Sequence, residues 1–277
     1  MATIHIFGDE SGTMPIRDND NPFVAATVAV LDRTLTLVPG SDNDNKLVEI
    51  FKELNVIPFA AVVKPYPGYS KAVRAKHDKM QVMARATRLV TGAKAQYLDQ
   101  KTLTDGFGIR NTVWCHAMLQ AIAHTVLHTV FTSTINAVRI ILDEKTMRPA
   151  MRLLFKEMIL QRIGAGMSQF LTTLLPLKPS VVGLWKRRVQ FSAETTSFNW
   201  SDDSEEFREE FGLRLADRFS RKIYQARAMN QAGIEDAFRD AGFDDFVVDI
   251  SEVVTCLDQR VIENFKRKTG LPEPREF

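Results

Sequence analysis

Three acidic residues of this 277-residue chain could bring carboxylate groups to one point. Asp9 and Asp143 each follow an apolar, strand-like run, and Asp217 lies four residues after Leu213 on a stripe with helical spacing. A turn would explain either of the first two residues alone, and an internal salt bridge would explain the third. Two strand ends and one helix can nevertheless direct three carboxylates toward a common centre.

Repulsion among three such carboxylates indicates which ligand the site would take. Each ionised pair at about 4 Å costs roughly 4 kcal/mol at an effective dielectric near 20, so the cluster takes up protons or binds a cation. Oxygen ligands without His or Cys favour Mg²⁺ or Mn²⁺ over Zn²⁺. We therefore predict Asp9, Asp143 and Asp217 as metal ligands and catalytic residues. A two-metal site of this kind supports hydrolysis of phosphodiester bonds.

A basic segment between Lys71 and Arg88 offers a different kind of contact. It holds six cations against the single acid Asp78. The ordinary explanation is a solvated helix face, but released counterions also favour Lys and Arg along a polyanion. The residues that we predict to contact nucleic acid are Lys71, Arg74, Lys76, Lys79, Arg85 and Arg88.

Other chemistries have weaker signals. His116, His124 and His128 share one helical face, which could mark a metal site, but apolar neighbours make the edge of a packed face the better explanation. No segment resembles a nucleophile elbow or a phosphate-binding glycine loop, so a serine hydrolase and a P-loop ATPase are not favoured.

The elements that must position these residues are those of an α/β protein. Strands are predicted at Thr3 to Gly8, Phe23 to Leu31, Phe59 to Val63, Ala137 to Leu142 and Arg188 to Ala193. Helices are predicted at Lys46 to Leu54, Pro149 to Ile163, Ser204 to Gln225 and Asp258 to Lys268, and residues 71–130 are largely helical. The first two strands, joined by a loop rich in Asp and Asn, predict an antiparallel hairpin.

Composition sets the broad class of the protein. The chain is 45% hydrophobic and 25% charged with a net charge of +2, which is typical of a globular protein and does not by itself indicate a nucleic-acid binder. Cys115 and Cys256 match no disulfide or metal-thiolate spacing, which fits a reducing compartment. Neither a leader peptide nor a membrane-spanning run is expected, so we predict a cytoplasmic protein. The oligomeric state stays open.

The segments Phe7 to Gly12, Ile141 to Asp143 and Leu213 to Asp217 resemble those of the family called domain of unknown function 3800. That family is similar in expected fold to ribonuclease H. The resemblance implies a single ribonuclease H-like domain over residues 1–277, with a mixed five-stranded sheet flanked by helices. A helical insertion would occupy about 66–136 and a C-terminal extension about 229–277.

The resemblance also implies roles for the three aspartates. Asp9 would bridge two metal ions, Asp143 would bind one and Asp217 would complete the other. The further glutamate that such nucleases use is not identified, and the candidates are Glu10, Glu144 and Glu194. Since adjacent residues of a strand point to opposite faces, Asp9 and Glu10 need not both face the ions.

Two classes of function follow from these expectations. The first is a metal-dependent nuclease that holds RNA or DNA partly through the basic segment. The second is a non-catalytic module that docks nucleic acid or a protein partner, as in a defence or mobile-element system. The missing fourth carboxylate favours the second class.

Overall fold

The computed structural model describes residues 2–31, 46–75, 78, 113–114, 116–118, 120–125, 135–143, 190–196 and 206–250. Its strands are β1 Ala2–Ser11, β2 Phe23–Leu31, β3 Ile57–Val63, β4 Ile135–Asp143, β5 Gln190–Thr196 and β6 Val247–Ile250. Its helices are α1 Leu47–Glu53, α2 at residues 69–75, α3 at the described residues within 113–125, α4 Glu206–Ala228 and α5 Gly233–Asp240.

The six strands form one mixed sheet in the order β5-β4-β1-β2-β3-β6. Strand β2 pairs antiparallel with both β1 and β3, whereas the pairs β1 with β4, β4 with β5 and β3 with β6 are parallel. All strands except β2 therefore run in one direction and end at the same edge of the sheet. We call this edge the carboxyl edge.

Strand β2 shows why the sheet needs cover on both faces. Every residue from Phe23 to Val30 is buried, without the alternation of a strand that has one wet face. On one face, the Thr27 hydroxyl lies 2.8 Å from the Thr125 hydroxyl of α3. On the other face, Val24, Ala26 and Val28 join a core cluster with residues of α4.

The core beside α4 is rich in phenylalanine. Phe219 of α4 packs edge-to-face on Phe51 of α1 at 5.6 Å and on Phe238 of α5 at 5.3 Å between ring centroids. Burial of each such ring contributes about 1.5–3 kcal/mol. This cluster holds α1, α4 and α5 together and supports the face of the sheet on which Asp9 lies.

The prediction of an α/β fold with a mixed sheet is confirmed, as is the antiparallel hairpin of β1 and β2. The prediction of five strands was incomplete, because Val247–Ile250 adds a sixth strand beside β3, within the segment assigned to a C-terminal extension. The predicted helices at 149–163 and 258–268, and most of the insertion at 66–136, lie outside the described residues. No helix within the described ranges is long and apolar enough to cross a membrane.

Candidate carboxylate site

Asp9 and Asp143 lie at the carboxyl ends of neighbouring parallel strands. The register pairs Gly8 with Leu142, so one further step along both strands brings Asp9 beside Asp143. Paired residues of parallel strands point to the same face, which here is the face covered by α4. After β1 the chain builds the sheet toward β2 and β3, and β4 then joins the other side of β1. The two aspartates therefore lie at a topological switch point, the usual ligand site of an open α/β sheet.

A backbone hydrogen bond near the end of β1 orients the Asp9 side chain. The side chain of Asp9 is 7% exposed, and its Oδ1 accepts a hydrogen bond of 2.7 Å from the backbone N–H of Glu10. Gly12 follows with a φ of +91°, a left-handed conformation that favours glycine. A Cβ at Gly12 would also come within 2.7 Å of the Tyr224 ring. The chain thus leaves β1 at a glycine that packs closely against α4, three residues after Asp9.

Asp143 is only half-buried, yet its environment already affects its charge. Burial raises the pKa of the Asp143 carboxyl above its usual range because partial loss of water disfavours the ionised form. The register therefore brings the partly desolvated carboxyl of Asp143 next to the buried Asp9.

Helix α4 carries Asp217 and packs on β1 through the small residues Gly212 and Ser220. A Cβ at Gly212 would overlap the Phe7 ring, and two turns later the Ser220 hydroxyl lies 2.9 Å from the Ser11 hydroxyl. Asp217 lies between these two contacts along the helix, with a side chain that is 33% exposed. Its carboxylate accepts a bidentate hydrogen bond from Arg221, one turn further along α4.

Glu10 points away from this group of residues. Its Oε2 accepts a hydrogen bond of 2.7 Å from Nε1 of Trp114 in α3, which covers the opposite face of the sheet. Both Glu10 and Trp114 are buried, with exposed fractions of 7% and 1%. Asp9 and Glu10 thus serve different faces, as the alternation of a strand requires.

No group of three or more His, Cys, Asp or Glu side chains in the described part of the chain lies in position to hold a metal ion. Asp9 and Asp143 provide neighbouring oxygen ligands of the type that Mg²⁺ and Mn²⁺ prefer. Asp217 is instead engaged by Arg221. The carboxylate oxygens thus fit a hard cation. Asp217 could become the third protein ligand only if it exchanged its contact with Arg221 for the ion.

The structure places the other sequence candidates unevenly. Lys71 and Arg74 are exposed on α2. His116 and His124 are buried in α3, and the His124 ring stacks on Phe59, which agrees with a packing role. The candidates outside the described residues are Lys76, Lys79, Arg85, Arg88, His128 and Glu144. The backbone of Glu194 pairs with Ile141 in the register of β4 and β5.

Sequence reasoning identified only part of the contacts around the candidate carboxylates. The internal salt bridge considered for Asp217 is present, and its partner is Arg221, four residues further along the same helix. The contact between Ser11 and Ser220 had no sequence signal, since 209 residues separate the two hydroxyls. Trp114 likewise reaches Glu10 across 104 residues.

Comparison of the chain with known proteins found no match. No protein-family model matches the chain. No curated protein matches it. No solved structure matches it.

Proposed function

We propose that this chain is a metal-dependent nuclease that hydrolyses phosphodiester bonds on a ribonuclease H-like scaffold, as in the family called domain of unknown function 3800. The observation that carries the proposal is the pairing of β1 with β4, which sets Asp9 beside Asp143 at the switch point of the sheet. Two adjacent carboxylates, one buried and one half-buried, repel each other unless a cation or a proton joins them.

In this proposal Asp9 and Asp143 hold Mg²⁺ or Mn²⁺ from the sheet, and Asp217 completes the set from α4. The bound ions would supply an activated water and stabilise the leaving oxygen. Asp9 keeps one oxygen on the Glu10 N–H, which orients the carboxylate. Arg221 binds Asp217 in the structure, and an ion bound to Asp217 would leave the guanidinium available to contact a phosphate.

Lys71 and Arg74 extend the site toward the substrate. Both are exposed, and α2 begins beside the loop that follows β1. Cations there would hold the phosphates of a strand without reading its sequence. The substrate in the proposal is accordingly RNA or DNA, in the cytoplasm.

Titration calorimetry of Mn²⁺ with single Asp→Asn variants at positions 9, 143 and 217 tests the function. We expect each variant to fold, as judged by circular dichroism, and to lose both Mn²⁺ binding and cleavage of labelled RNA or DNA. Asp240→Asn is the matched control, because Asp240 is an exposed residue of α5. Cleavage that survives the triple variant would refute the proposal.

A second function, a non-catalytic docking module for nucleic acid or a protein partner, is favoured by one observation. Asp217 is engaged by Arg221, so the three aspartates are not assembled around a common point. The test is to bind nucleic acid in EDTA and then add Mg²⁺. A nuclease cleaves the bound strand, whereas a docking module releases it intact.

A further inference from the structure

A basic and aromatic surface lies beyond β3 at the carboxyl edge. It consists of Arg17, Lys64, Tyr66, Lys71 and Arg74, and we call it the Tyr66 strip. The four cations are exposed and Tyr66 is partly exposed. Because β3 is parallel to β1, the chain leaves β3 at the same edge at which Asp9 lies.

The loop after β1 ties this strip to the carboxylate site. Asp18 accepts hydrogen bonds from the N–H groups of Gly68 at 2.8 Å and Ser70 at 2.7 Å, at the start of α2. The Tyr69 hydroxyl donates to the carbonyl of Pro15 at 3.2 Å. These bonds hold the strip in a fixed place relative to the loop that begins three residues after Asp9.

The four cations of the strip outnumber the acids near them in the described part of the chain. Lys64, Lys71 and Arg74 form no ion pair within the described residues. The nearby acids Asp18 and Asp20 keep their negative charge while they accept backbone N–H groups, those of Gly68 and Ser70 for Asp18 and those of Ile16 and Arg17 for Asp20. Asp78 is an exposed acid just beyond α2. Among the described residues around Tyr66, the four cations thus stand against the three acids Asp18, Asp20 and Asp78.

Tyr66 has a rigid support. Its ring packs edge-to-face on Tyr69, with centroids 5.7 Å apart and planes at 83°. Tyr69 is 1% exposed, so the pair has a buried member and a partly exposed member. A partly exposed ring that is held in place beside cations can stack on a planar ligand at low entropic cost.

We propose that the Tyr66 strip binds a single-stranded segment of nucleic acid, with a base stacked on Tyr66 and the phosphates on Lys64, Lys71 and Arg74. This inference rests on the proposed function, since it names the substrate form that the carboxylate site would receive. Stacking requires a base whose face is open, and a duplex covers the faces of its bases. An acidic peptide would use the cations but would gain little from the ring.

The sheet register sets the length of strand required. Asp9 is level with Ala26 and Ala60, so Lys64 lies four residues further along and two strands aside. At about 3.3 Å per residue and 4.8 Å per strand, the separation is roughly 16 Å. A stacked strand rises about 3.4 Å per nucleotide, so about five nucleotides connect the two places.

Fluorescence anisotropy in EDTA tests the strip without metal. The probes are a fluorescein-labelled single-stranded oligonucleotide longer than this span and its duplex form. We expect the single strand to bind more tightly, and Tyr66→Leu to weaken its binding roughly 5- to 150-fold, while Tyr66→Phe retains it. Lys71→Ala with Arg74→Ala should reduce the slope of log affinity against log salt by about 1.4.

The matched control is Lys46→Ala with Lys52→Ala. Both lysines are exposed; Lys46 precedes α1 and Lys52 lies within it. Since α1 leads into the start of β3, it lies toward the edge of the sheet opposite the carboxyl edge. Equal binding by Tyr66→Leu and Tyr66→Phe would overturn the proposal. Tighter binding of the duplex than of the single strand would also overturn it. So would displacement of the oligonucleotide by polyglutamate to the same extent in the unsubstituted protein and in Tyr66→Leu, a result that would instead identify an acidic protein partner.

The outcome is separable from that of the proposed function. Binding that depends on Tyr66, together with no cleavage in Mg²⁺, would support the strip and refute the nuclease. Cleavage that depends on Asp9 but not on Tyr66 would support the nuclease and refute the strip.

Discussion

Asp9 and Glu10 are adjacent carboxyl residues that the fold assigns to opposite faces of the sheet. Asp9 faces α4 beside Asp143, and Glu10 accepts its hydrogen bond from Trp114 of α3. The backbone N–H of Glu10 also holds the Asp9 carboxylate. A contact on the α3 face can therefore fix the peptide that orients a residue on the α4 face.

This division predicts different effects of substitution at the two positions. Glu10→Gln keeps an oxygen that can accept from Trp114, so we expect it to retain Mn²⁺ binding that Asp9→Asn loses. Trp114→Phe removes the donor and should lower the free energy of unfolding by about 1–3 kcal/mol. Urea denaturation of Glu10→Leu, which removes the acceptor, of Trp114→Phe and of the double variant measures the coupling. Strictly additive losses would mean that the two side chains do not act together.

Asp18 carries a pH dependence of known sign. Hydrogen bonds from the N–H groups of Ser70 and Gly68 lower the pKa of the Asp18 carboxyl below 3.8. Its folded pKa lies below its unfolded pKa, so its contribution to stability is present above pH 3.8 and is lost as the pH falls through the folded pKa.

Thermal unfolding measures this effect. Asp18→Ala should lower Tm at neutral pH, and the difference from the unsubstituted protein should shrink under acid conditions. Asp240→Ala on α5 is the exposed control. A Tm difference that is the same at both pH values would contradict the assignment of the two backbone bonds to an ionised Asp18.

Elements differ in how readily their sequence identifies them. Strand β2 is predicted with its observed ends, because eight successive buried residues lie between polar segments. Strand β6 is not predicted, since it has four residues, includes Asp249 and depends on β3, far away in sequence. Asp9 and Asp143 are predictable as strand ends, whereas their side-by-side position depends on a register that no local pattern contains.

Helix α4 depends on Gly212 for its close approach to the sheet. A Cβ there would overlap the Phe7 ring, so Gly212→Ala should destabilise the protein by about 1–3 kcal/mol, although alanine favours helices. Gly233→Ala at the start of α5 meets nothing within 4 Å and is the matched control. Phe7→Leu in the Gly212→Ala background should recover part of the loss. Equal stability of the two alanine variants would refute this packing.

At the scale of the molecule, the segment after α4 belongs to the same core as the carboxylate site. Phe238 of α5 is 2% exposed and contacts Phe51, Phe219 and Phe246 within 6 Å between ring centroids. Strand β6 continues the sheet beside β3. The aromatic cluster thus connects α5 and β6 to α4, which itself packs on β1.

This connection predicts that a substitution that disrupts the packing of α5 also destabilises β1. Phe238→Ala should lower the free energy of unfolding by about 3–5 kcal/mol and reduce the hydrogen-exchange protection of β1 and β2 amides together with that of β6. Ala237→Gln, at the exposed neighbouring position, should stay within about 0.5 kcal/mol. Loss of protection confined to α5 and β6 would show that they open alone. In that case the core beside Asp9 would be stable without the sixth strand, and the mixed sheet would consist of two separately folding parts.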